Sequence, residues 1–147
     1  MARAGRVWRW GLVAVAAGLA VAVAVHFWMM RVPADLDLSR DKTSQEHLYR
    51  VALAPEAEPL RQGPMQSLVV SVSTADGRPV EDATIGIDGG MPQHGHGLPT
   101  SPAVTAYLGG GRYRMEGIKF DMAGWWELKL SISAPPGDDR VTFNLRL

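Results

Sequence analysis

The chain has 147 residues, enough for one compact domain and an appendage. Its 15 basic and 15 acidic side chains cancel, and no basic face stands out, which argues against nucleic acid as a partner. With no cysteine there is no disulfide, no thiolate nucleophile and no thiolate metal site, so any soft donor must be a methionine.

Arg3, Arg6 and Arg9 crowd the N-terminus, which is expected to be a cytoplasmic segment over residues 1–10. "GLVAVAAGLAVAVAVHFWMM", residues 11–30, follows with no formally charged side chain when His26 is neutral. At about 1.5 Å per helical residue it spans roughly 30 Å, the hydrocarbon thickness of a bilayer. Trp8 and Trp10 flank one end, Phe27 and Trp28 the other, as suits rings that settle at the headgroup boundary. The reading is a single-pass anchor in the inner membrane, with the N-terminus inside and the C-terminal domain in the periplasm. A cleaved secretory signal is the rival, since Ala22-Val23-Ala24 has small residues at the right spacing. The apolar run continues past that point to Met30, and cleavage would leave a greasy new N-terminus, which favours the anchor. Both readings put the bulk of the chain across the membrane.

Residues 31–47 are polar, without a sustained apolar period, and are expected to be a stalk. From there the folded domain, residues 48–147, shows period-two alternation broken by Gly, Pro and Asp turns. A strand near "LYRVALAP" is followed by "QSLVVSVS", which aligns Leu68, Val70 and Val72. "ADGRP" turns the chain into "EDATIGID", with Ala83, Ile85 and Ile87 on one face. "AVTAYL" and, after three glycines, "RYRMEGI" come next, the latter with Tyr113 and Met115 together. "WWELKLSIS" aligns Trp126, Leu128, Leu130 and Ile132; after the "APPGDD" turn, "RVTFNLRL" aligns Val141, Phe143, Leu145 and Leu147. About seven short strands in about a hundred residues predict an all-β, immunoglobulin-like antiparallel β-sandwich.

The loop "MPQHGHGLPT", residues 91–100, carries the candidate chemistry. His94 and His96, two apart, project from the same side of an extended chain. Gly95 and Gly97 let the backbone bend so that both rings can converge, while Pro92 and Pro99 stiffen the approaches. Met91 adds a thioether. Imidazole suits copper and zinc, and thioether favours Cu(I), so the loop reads as a copper site. The bland alternative is a stiff turn in which one ring caps loop carbonyls and the other is solvated. His26 and His47 have no convergent partner. Trp126 points inward by parity as the large core residue, whereas Trp125 points outward, where it can cover a site or meet a partner. Met122 shares the inward parity of Phe120 and Trp126, which suits a core filler as well as a ligand.

The pieces Met91-Pro92, His94, His96-Gly97-Leu98-Pro99-Thr100, Gly111-Arg112-Tyr113, Gly117, Phe120, Met122 and Gly124-Trp125-Trp126 resemble the FixH/YtkA-like family over about residues 48–147. Its members are small, membrane-anchored, extracytoplasmic β-sandwich domains, linked in some cases to assembly of copper pumps and haem-copper oxidases. The resemblance implies Met122 as a fourth ligand beside His94, His96 and Met91. Many members have a histidine just before the strand that here begins "MQSL"; this chain has Gln66 there.

No serine motif surrounds the histidines, "LGGGRY" lacks the lysine and the helix of a phosphate loop, and no spacing recruits Asp88 or Asp121 as a third metal ligand. The expectation is a non-enzyme: a periplasmic copper-binding or copper-handling accessory domain that aids assembly of a membrane metalloenzyme. The alternatives are a metal-free interaction module that docks a membrane partner through Trp125, or a small-molecule-binding domain.

Overall fold

The computed structural model describes residues 2–29 and 31–147. Met1 and Met30, the outer limits of two of the expected segments, lie outside the described residues. The chain divides into two compact units, one ending at Pro33 and one running from Ala34 to Leu147.

The first unit is helix α1, Ala2–Met29. Its stretch Trp10–Trp28 has 19 residues and a mean hydropathy of 2.1, long and apolar enough to cross a membrane. Apolar side chains lie all round it, so no polar stripe marks a face for a soluble partner.

The second unit is a sandwich of two antiparallel sheets. One contains β1 (Asp41–Thr43), β2 (Tyr49–Pro55), β3 (Met65–Thr74), β6 (Ala103–Gly109) and β7 (Arg112–Lys119), in the order β1-β2-β3-β7-β6. The other contains β4 (Thr84–Met91), β5 (His96–Gly97), β8 (Trp125–Ala134) and β9 (Gly137–Arg146), in the order β5-β4-β8-β9. The seven strands expected from alternation are β2, β3, β4, β6, β7, β8 and β9. The two additions, β1 and β5, are only three and two residues long, too short for a period to show. Asp41–Thr43, within the segment expected to be a stalk, forms an edge strand paired with Arg50–Ala52.

Alternation places the core as expected. Leu68, Val70, Val72, Tyr113, Met115, Trp126, Leu128, Leu130, Ile132, Val141, Phe143 and Leu145 are all buried, and Trp126 is fully so. Phe120 meets the Trp126 ring edge-on at a centroid distance of 5.3 Å, a geometry that places ring edges on ring faces. The last turn is tighter than expected. Ala134 pairs directly with Gly137, so only Pro135 and Pro136 turn the chain, and Asp138 and Asp139 already belong to β9. Gly137 permits this with a φ of 133°, which side-chain-bearing residues rarely adopt.

Asp139 therefore takes an inward position and is 5% exposed. Its carboxylate accepts backbone N–H bonds from Glu46 at 3.0 Å, Leu48 at 3.2 Å and Arg140 at 2.7 Å. Burial raises its pKa, but hydrogen bonds from the Ser44 hydroxyl and the N–H groups of Glu46, Arg140 and Leu48 outweigh that and hold it below the ordinary 3.8. Gln45 N–H donates to the Arg140 carbonyl at 2.9 Å, and the Asn144 amide donates to the Asp37 carbonyl at 2.9 Å. The segment 37–48 is thus strapped along β9 while β1 pairs with β2, tying the two sheets together.

Candidate functional site

The histidines sit on a hairpin at one end of the second sheet. Met91 pairs with His96 and Gly90 with Gly97 across β4 and β5. The Met91 carbonyl accepts both the His94 and the Gly95 N–H at 3.0 Å, and Leu98 N–H reaches the Gly89 carbonyl at 3.0 Å. Gly95 turns the chain with a φ of 64°. A Cβ at Gly90 would lie 2.1 Å from the His96 carbonyl oxygen, so glycine is what lets the return strand approach this closely. The turn is held from below by backbone bonds, and both imidazoles are left exposed on it.

The two rings are stacked, with centroids 6.2 Å apart and planes inclined by 26°. A metal about 2.0 Å from an imidazole nitrogen lies about 3 Å from that ring's centroid, so rings sharing an ion have centroids no more than about 6 Å apart. The observed spacing is at that limit. Coordination runs through lone pairs in the ring planes, so these exposed rings must turn out of the stacked arrangement to share one ion.

The methionines divide. Met91 is 1% exposed, and its methyl carbon lies 3.1 Å from where a Cβ on Gly124 would stand. Its side chain is core packing that fastens the base of the hairpin. Met122 is 38% exposed. The parity that made it a core position does not operate, because residues 120–124 form the loop between β7 and β8 rather than a strand. Its carbonyl accepts the Trp126 indole N–H at 3.0 Å, so the backbone is pinned while the residue remains exposed. Since Gly124, two residues on, packs against Met91, the Met122 loop and the histidine hairpin share one end of the sandwich.

Gln66 is not free to act as a ligand as it stands. Its carbonyl oxygen accepts Arg61 N–H at 2.9 Å and its amide nitrogen donates to Arg61 O at 2.8 Å, so the side chain clamps the preceding loop. Asp88 accepts its neighbour Gly89 N–H at 2.7 Å. Among the described residues no three His, Asp or Glu side chains stand close enough to hold an ion together. Any ion here would rest on the two imidazoles and on sulfur. A depression of about 220 Å³ adjoins the hairpin, bounded by Pro92, Gly95, His96, Glu127 and Lys129, with the last two ion-paired at 3.0 Å. Larger open depressions on the same sheet, around Gly86, Ser131 and Arg140, are lined by carboxylates such as Glu46, Asp88 and Asp138 and by no histidine or methionine.

Trp125 is half-buried on the outer face of β8, and its indole N–H donates to the Asn144 side-chain oxygen at 3.0 Å. Two features escaped the sequence reading. Asp139 could have been found from its parity with Val141 and Phe143. Met65, 64% exposed at the start of β3, gives no signal in a sequence where methionine is a common core residue.

Comparison with known proteins gives three findings. The ZirS C-terminal domain superposes with a TM-score of 0.41 at 14% identity, over 80% of this chain and 82% of that one. No curated protein sequence matches. The family model described as YtkA-like matches residues 43–131, more than half of the chain, and the protein belongs to the YtkA-like family.

Proposed function

We propose that this YtkA-like protein is a membrane-tethered accessory domain that handles copper outside the cytosol, with His94, His96 and Met122 as donors. The observation that carries the reading is the pair of exposed imidazoles, 6.2 Å apart on a hairpin locked by backbone bonds. Imidazoles accept Cu(I) and Cu(II), and a neighbouring thioether biases the set toward Cu(I). Exposure of all three groups suits an ion that is passed on rather than stored, which is what assembly of a membrane metalloenzyme would require. The apolar helix supports tethering, and the arginines ahead of it support an inside N-terminus by the positive-inside rule. Met91 contributes rigidity instead of a bond to the ion.

The test is titration of the full chain in detergent micelles with Cu(I) and Cu(II). One-equivalent binding that disappears in His94→Ala/His96→Ala supports the proposal. Absence of saturable binding tighter than micromolar overturns it and leaves the metal-free docking reading, in which Trp125, held by Asn144, presents a fixed indole to a partner.

A further inference from the structure

The β domain holds four methionines, and packing explains only two of them. Met91 and Met115 are 1% and 0% exposed, where a flexible thioether fills irregular space in the core. Met65 and Met122 are 64% and 38% exposed and gain nothing comparable from burial. A thioether is oxidised by two-electron oxidants at a rate set by access to its sulfur. The two classes therefore differ in reactivity by construction.

Met122 has a further property that Met65 lacks. Its carbonyl is bonded to the indole of the fully buried Trp126, so the main chain at 122 is anchored to the core while the residue as a whole remains exposed. A change at the sulfur leaves that anchor intact and stays local. The same loop carries Gly124, against which Met91 fastens the histidine hairpin.

We infer that Met122 is an oxidation site that gates copper uptake, an inference that rests on the copper reading above. The oxidant is a hydroperoxide. The sulfur lone pair attacks the terminal O–H oxygen of the peroxide, and an S–O bond forms as the O–O bond breaks. The departing oxygen carries off the electron pair of that bond and takes up the proton from the transferred oxygen, leaving as an alcohol, or as water when the oxidant is hydrogen peroxide. The product is a sulfoxide, polar and no longer a soft thioether, and Cu(I) loses the donor that distinguishes it from Cu(II). Met65 is oxidised as well, without effect on copper.

The experiment treats the full chain in detergent micelles with hydrogen peroxide and follows each methionine by peptide mass. Met65 and Met122 should gain one oxygen while Met91 and Met115 stay unmodified in the folded protein. In Met65→Leu, oxidation should weaken Cu(I) binding about tenfold and leave Cu(II) binding unchanged; in Met65→Leu/Met122→Leu, oxidation should change neither. A Met122 that resists peroxide converting Met65, or an oxidised Met65→Leu with undiminished Cu(I) affinity, overturns the inference. If the unoxidised chain binds no copper at all, the copper reading fails and the gate with it, whereas the oxidation pattern is still read by mass.

Discussion

The methyl carbon of Met91 lies 3.1 Å from the point a Cβ on Gly124 would occupy, so a methionine on β4 and a glycine ahead of β8 interlock beneath the histidine hairpin. Gly124 has a φ of 125°, so a side chain there is opposed both by the backbone and by Met91. This contact fixes what Met91 does. Met91→Ala should cost about 2–5 kcal/mol in chemical denaturation, as expected for emptying a buried methionine position. Met91→Leu, which keeps the volume, should cost under about 1.5 kcal/mol and leave copper affinity unchanged. Loss of Cu(I) binding in a well-folded Met91→Leu would instead make the sulfur a ligand.

His94 and His96 behave oppositely, because both are exposed. Each single alanine variant should change stability by no more than about 0.5 kcal/mol. Copper affinity measured by competition should fall in both singles and vanish in the double variant. A single variant that binds as tightly as the parent would mean that the rings do not share an ion.

Acid should loosen the strap of residues 37–48. Asp139 has a folded pKa below its ordinary 3.8, so the stabilisation it provides is complete above that value. It is lost as pH falls through the lower, folded value, where the carboxylate takes up a proton and its N–H partners lose their charged acceptor. Asp139→Ala should cost about 2–4 kcal/mol near neutral pH by stranding buried donors. Its melting temperature should then lose less than the parent's between pH 5 and pH 2. A parent and a variant that fall in parallel would show that another carboxylate governs acid unfolding.

The two adjacent tryptophans separate core from surface. Trp126→Ala should cost about 3–5 kcal/mol, since the ring is fully buried against Phe120. Trp125→Phe should cost about 1 kcal/mol for the bond to Asn144. Only the second variant is suited to probing docking of a membrane partner, because its fold survives; unfolding of Trp125→Phe at ordinary temperature would contradict this division.

Much of the architecture is legible from alternation alone. In a sandwich with one wet and one dry face per sheet, period two is forced on every long strand, and Leu68, Trp126 and Phe143 announce their side without any knowledge of their partners. The helix and the family motif are equally local, because a bilayer reads length and apolarity and a hairpin reads glycines. Position in a loop is another matter. Parity has meaning only where the backbone is extended, so it misplaced Met122, which the loop between β7 and β8 turns outward. It could not tell that Met91, next to two histidines in the chain, is drawn into the core by Gly124, thirty-three positions away. Asp139 shows its inward parity in the sequence, but its N–H partners, from a segment about ninety residues earlier, do not show there. Periodicity is a property of neighbours along the chain; convergence of donors, burial of a sulfur and satisfaction of a carboxylate depend on distant segments brought together, and only the packed sandwich settles those.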